Sequence, residues 1–240
     1  MQTIPIRNIN LSSEEESFIN QFSIVDIPSL FKNGDIVENT HRHNFFFILI
    51  LDKGNGEHYI DFKQYTITDH VIFILRPGQV HSLNLKTNST GFLIRFQSIF
   101  SNSPHQSTKE LINRVSNTNH HTFNVNSFKN IKNIATKIHE EYQGKLPAYQ
   151  ESIKARLNLL FIEISRNNSI NITNPNQLYE QERLEELLTL LELHISQEKK
   201  VFQYAKRLNL TSYQLNSITK KLLGKTVSQL IKEQIILEAK

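Results

Sequence analysis

The sequence predicts an α+β protein, an antiparallel β-barrel followed by a helical half, and three observations carry that reading. Between residues 20 and 100, short runs rich in Ile, Phe, Val and Tyr alternate with turn signals, as in antiparallel barrels and sandwiches rather than parallel sheets. From Ser127 onward the apolar residues recur at three- and four-residue steps, the period of a helix. Late in the chain the charge changes sign. Glu180 to Glu198 holds six acidic residues against the single Arg183, whereas Lys199 to Lys232 holds eight Lys/Arg and no Asp or Glu.

The strand runs are Phe22 to Ile27, Asn44 to Leu51, His58 to Phe62, Val71 to Leu75, Val80 to Leu85 and Gly91 to Phe96. Lys32-Asn33-Gly34-Asp35, Lys53-Gly54-Asn55-Gly56, Arg76-Pro77-Gly78 and Asn88-Ser89 separate them. Phe45 to Leu51 is apolar at every position, so it is expected at the centre of a sheet covered on both faces. Phe128, Ile131, Ile134, Ala135, Ile138 and Tyr142 form one stripe on a helix that Ser127 is placed to cap. Pro147 opens a second helix with Ile153, Leu157, Leu160, Phe161 and Ile164 inward, and the two are expected to pair as an antiparallel hairpin. Asn167 to Asn176 is polar and unpatterned, a linker, after which Leu184, Leu187, Leu188 and Leu191 mark a third helix. The expected domains are therefore a barrel over 1–126, a helical hairpin over 127–167, a linker over 168–177 and a helical domain over 178–240. The hairpin stripe exceeds what one barrel edge covers, which predicts a homodimer through it.

The 240 residues suffice for two modest domains, and 38% hydrophobic with 21% charged residues is ordinary for a globular protein with a core. With no cysteine, disulfides, thiol nucleophiles and thiolate zinc sites are excluded. Met1 to Glu16 has no apolar core of a signal peptide, and Phe45 to Leu51 is far short of the ~20 residues that span a bilayer. The expectation is a cytoplasmic protein with no membrane partner.

The basic stretch reads as a helix-turn-helix, and its charge as a surface for double-stranded DNA, since each Lys or Arg on a phosphate releases a counterion. Val201, Ala205 and Leu208 share one face of its first helix. Asn209-Leu210-Thr211 makes the turn, with Thr211 capping the second helix, on which Leu215, Ile218 and Leu222 point inward. Tyr213, Gln214, Asn216, Ser217, Lys220 and Lys221 are then outward. The N-terminal half of such a helix meets base edges in the major groove. Asn216 is expected to pair with an adenine and Tyr213 to meet a thymine methyl or a phosphate. Lys220 and Lys221 lie further along and suit phosphates.

These residues resemble the first half of the DNA-binding region of the AraC/XylS transcriptional regulators. The resemblance rests on Tyr204-Ala205-x-x-Leu208, Thr211-Ser212-x-x-Leu215-Asn216, Gly224-Lys225-Thr226, Ile231 and Leu237-Glu238-Ala239-Lys240. The N-terminal part resembles the cupin-type sensor barrel of that family through His41-Arg42-His43-Asn44-Phe45, Gly54-x-Gly56, Asp61-Phe62 and Pro77-Gly78-Gln79-Val80-His81. It implies a one-component regulator whose barrel takes a small-molecule effector, with His41, His43, Tyr59, His81 and Arg95 as its contacts. Gln234 stands where the family usually carries an Arg. The resemblance also implies a second helix-turn-helix beyond Lys240, so a truncated DNA-binding domain is expected.

An enzyme is not expected. Cupin enzymes add a Glu to a His-x-His pair and a distant His, but Phe47 and Ile48 occupy the positions where it would fall. No metal and no cofactor are therefore predicted. His139-Glu140-Glu141 lacks a partner histidine, and Gly54-x-Gly56 is a hairpin signal. The alternatives are a metal-dependent cupin enzyme, or a ligand-binding module that no longer binds DNA tightly.

Overall fold

The computed structural model describes residues 5–7, 21–31, 34–61, 63–97, 106–170 and 175–238. Its strands are β1 (Ile6–Arg7), β2 (Phe22–Asp26), β3 (Ile36–His43), β4 (Phe46–Lys53), β5 (Gly56–Ile60), β6 (Lys63–Ile67), β7 (Val71–Leu75), β8 (Val80–Leu85), β9 (Thr90–Phe96) and β10 (His120–Thr122). Its helices are α1 (Gln106–Ser116), α2 (Val125–Gly144), α3 (Tyr149–Ile170), α4 (Pro175–His194), α5 (Val201–Arg207), α6 (Ser212–Leu223) and α7 (Val227–Glu238). The chain divides into two compact units at Asn168/Ser169. Residues 171–174 of the expected linker lie outside the described residues, as do Lys32, Asn33, Phe62, Ala239 and Lys240; Pro175 to Gln177 already belong to α4.

The first unit holds two five-stranded sheets, in the orders β1-β3-β8-β5-β6 and β10-β7-β4-β9-β2. All ladders are antiparallel except β1 with β3. Among the described residues they stay two sheets and do not close into one. β4 is the middle strand of its sheet, flanked by β7 and β9. Its alternation explains why every position is apolar. Phe45, Phe47, Leu49 and Leu51 enter a cluster shared with Ile60, Leu83 and Leu85 of the other sheet. Phe46, Ile48 and Ile50 face the opposite way, against Ile131, Ala135, Ile138, Leu157, Leu160 and Phe161 of α2 and α3. A strand covered on both faces needs no polar side. Gly91, at φ +145°, sits so close to β4 that a Cβ would overlap the Ile50 carbonyl, a place only glycine fills.

Two differences from the sequence reading have simple causes. Asn124, not Ser127, caps α2: its side chain accepts the Ser127 N–H at 2.9 Å, so Ser127 is already inside the first turn. The hairpin stripe of Ile131, Ile138, Leu157 and Ile164 is wholly buried against the outer face of the β4 sheet. The expectation of a dimer treats those side chains as surplus, whereas they cover this chain's own sheet.

The second unit packs α4, α5, α6 and α7 around Leu187, Leu191, Tyr204, Ala205, Leu208, Leu215, Val227, Leu230 and Ile231. Thr211 caps α6 by accepting the Gln214 N–H at 3.1 Å, and the Gln214 side chain accepts the Thr211 N–H at 2.9 Å in return. Gly224 ends α6 in the left-handed region at φ +69°.

Candidate functional site

Two groups of side chains stand apart from the packing: a cluster of histidines between the sheets, and the exposed side of α5 and α6.

His41, His43, His58 and His81 are all buried. Register puts them on one face. His41 lies opposite His81, His81 opposite Ile60, and His58 opposite Leu83, so all of them share the side of the apolar residues Ile60 and Leu83. The rings of His41, His43 and His81 form a near-equilateral group, with centroids 4.6, 4.3 and 4.7 Å apart. Their candidate ligand nitrogens lie within 4.8 Å of one another. Phe45 and Phe47 wall the group, and Phe73 packs on His58.

Hydrogen bonds fix part of the proton arrangement. His41 Nδ1 lies 2.6 Å from the Asn39 carbonyl and must donate to it, which leaves Nε2 bare. The β3 ladder shifts register between Glu38 and His41, and the Asn39 carbonyl lies within that irregularity. His43 Nε2 meets His81 Nε2 at 2.7 Å, and His81 Nδ1 meets His58 Nε2 at 2.9 Å. A neutral imidazole carries one N–H, so this chain runs in one of two directions. In either direction, Nδ1 of His43 and Nδ1 of His58 remain buried without a partner. Burial, reinforced by neighbouring positive groups, pushes His43 and His58 down to about 3 and His81 lower still. Burial also lowers His41, against the pull of the Asn39 carbonyl. The cluster is neutral at physiological pH.

Of the expected effector contacts, His41, His43 and His81 come together. Arg95 lies opposite Phe47 in the ladder, hence on the same face, where its Nε donates to Ser23 Oγ at 2.9 Å. Tyr59 does not join them. It is 42% exposed, on the other face of β5, because His58 and Ile60 take the inward parity. His58 is the residue that the sequence reading misses. A signal for it exists: Ile60 must face inward, and a residue two positions away shares its face.

On the second unit, Tyr213 is 83% exposed, and Gln214, Ser217 and Lys220 are exposed beside it. Two expected DNA contacts meet a different geometry. Asn216 Nδ2 donates to the Ser212 carbonyl at 2.9 Å, and its Oδ1 accepts the Val227 N–H at 3.0 Å. Its amide therefore ties α6 to the start of α7. Lys221 pairs with Glu180 of α4 at 2.6 Å. Arg207 and Lys225 are likewise paired, with Glu198 and Glu233. Lys199, Lys200, Lys206, Lys220 and Lys232 are exposed and carry no ion pair among the described residues.

The first unit is thus two sheets with buried histidines on their facing sides, backed by a helical hairpin. The chain belongs to the AraC-like ligand binding domain family, whose model matches residues 33–189. Three solved structures are similar. An apo single-residue variant of ToxT from Vibrio cholerae is 16% identical, with 97% of this chain and 83% of that chain covered at a TM-score of 0.44. The AraC-like transcriptional activator CuxR is 10% identical over 82% of this chain and 67% of that chain, at 0.36. Wild-type ToxT from Vibrio cholerae with bound unsaturated fatty acid is 13% identical over 91% and 97%, at 0.31. No curated protein matches the chain. No helix among the described residues is long and apolar enough to cross a membrane.

Proposed function

We propose that this chain is a transcriptional regulator that senses a small effector between its two sheets and binds double-stranded DNA through α5 and α6. The family match over residues 33–189 carries the sensing half. In this reading the two sheets act as a cupin-like barrel, and His41, His43, His81, Arg95 and the added His58 form the polar lining of its interior. The buried Nδ1 atoms of His43 and His58 are the groups an effector's polar atoms would satisfy.

The DNA-binding half rests on local geometry. α5 and α6 are joined by a tight turn, with Leu210 N–H donating to the Ala205 carbonyl at 2.9 Å and a capped start to α6. These features support reading the pair as a helix-turn-helix, with α6 as the recognition helix. Base contact falls to Tyr213 and Ser217, since the Gln214 side chain is held by Thr211 in the cap of α6. Phosphate contact falls to Lys220 and Lys206. A homodimer completes the proposal, with Ala155, Leu159 and Ile162 on the outer side of α3 as its contact; Leu159 is 51% exposed. The protein works in the cytoplasm, where the DNA is.

The test is selection of bound sequences from a random duplex library, followed by titration of the enriched duplex. Enrichment of one motif, with affinity falling as salt rises, is expected. Recovery of unenriched library would refute the DNA-binding half and leave the sensing half standing.

A further inference from the structure

We infer that His41, His43 and His81 form a binding site for one late first-row divalent cation, with His58 as a positioning residue. Three observations carry it, and none depends on the DNA-binding proposal.

The first is convergence. Three imidazoles from β3 and β8 bring their nitrogens within 4.8 Å of one another inside the core. A tetrahedral ion with Zn–N bonds of about 2.0–2.1 Å holds its nitrogens about 3.3 Å apart. His43 Nε2 and His81 Nε2 stand at 2.7 Å and the group spans up to 4.8 Å, so an ion in place of their hydrogen bond needs that pair to open by about half an ångström and the wider spacing to His41 to close toward about 3.3 Å.

The second is tautomer. Metal-bound histidines almost always have the other ring nitrogen held by a partner, and two of the three do here, His43 Nδ1 having none. His41 Nδ1 donates to the Asn39 carbonyl, which leaves Nε2 as the ligand atom. His81 Nδ1 lies against His58 Nε2, so His81 too can present Nε2. His58 occupies the supporting position that a carboxylate often fills.

The third is donor chemistry. The group contains nitrogen and no carboxylate. That selects zinc, cobalt, nickel or copper over magnesium, calcium or manganese. Three protein ligands leave a fourth position open to water or to a polar atom of an effector. The expectation of no metal rests on the apolar Phe47 and Ile48, where a cupin enzyme would place its carboxylate. Three histidines need no carboxylate, and β5 supplies a fourth to support them.

The experiment uses the full chain, stripped with chelator and dialysed. Cobalt is titrated in and followed by visible absorption, then displaced with zinc measured by elemental analysis. About one ion per chain is expected, with the intense bands of a four-coordinate nitrogen site. His41→Leu and His81→Leu should abolish it, whereas His139→Ala and His194→Ala, outside the cluster, should not. His58→Leu keeps all three ligands and should weaken binding about 10- to 100-fold, as loss of a supporting partner does elsewhere. Absence of binding by the wild type would overturn the inference, whether or not any variant folds. Binding that survives in folded His81→Leu, or that disappears with His139→Ala, would overturn it too.

Discussion

Replacing Asn216 by alanine separates an internal role for this residue from a base-reading one. The substitution removes the acceptor of the Val227 N–H, and Val227 is fully buried. An orphaned buried donor costs about 1–3 kcal/mol. The second bond, from Nδ2 to the Ser212 carbonyl, adds little, because that carbonyl also serves the helix ladder. Alanine returns roughly half a kcal/mol through its better helix propensity. The net cost is then about 1–2 kcal/mol, felt where α6 meets α7. Hydrogen exchange at the Val227 amide reads it directly, and protection should fall about 5- to 30-fold. Asn216→Asp keeps an acceptor and places a negative charge at the start of α7, so it should restore much of the protection. Unchanged protection at Val227, together with relaxed preference at one base of the selected duplex, would refute the internal role.

Three further outcomes are expected. Stability of the metal-free protein should fall with acid: His43 and His58 are pushed down to about 3 when folded, against about 6.5 unfolded. Their contribution is complete above pH 6.5 and is lost as the unfolded chain takes up protons below it. With partly solvated His43 given half weight, the loss by pH 5 is about 3 kcal/mol, read from urea midpoints; a flat profile from pH 7 to 5 would contradict neutral burial. Lys220→Ala should weaken binding to all duplexes alike and reduce the salt slope by about one unit. Lys221→Ala should leave the slope nearly unchanged, because Lys221 is held by Glu180; equal effects in the two titrations would show that the ion pair opens on DNA. Leu159→Glu should shift a dimer to monomer in sedimentation at micromolar concentration, and a monomeric wild type would end the dimer proposal.

What the sequence shows and what it hides divide along a physical line. Local periodicity is written in neighbouring residues, so the strands β7 and β8, the two-faced β4 and the capped α6 are all legible. β3 and β6 are not, since Glu38-Asn39-Thr40 and Lys63-Gln64 carry no apolar run. A strand of that composition is held by its partners β8 and β5, not by its own propensity.

Side-chain roles follow a different rule. Tyr59 and His58 are adjacent, and only parity decides which of them faces the core; the apolar Ile60 sets that parity. Asn216 and Lys221 sit on the outward arc of α6, as periodicity requires. Their partners, Val227 and Glu180, lie 11 and 41 residues away. No local pattern reveals that such a side chain is already engaged. A polar residue on a recognition helix is therefore a candidate for base contact only after its intramolecular partners are known. By that test Tyr213 and Ser217 remain the residues through which α6 would read DNA.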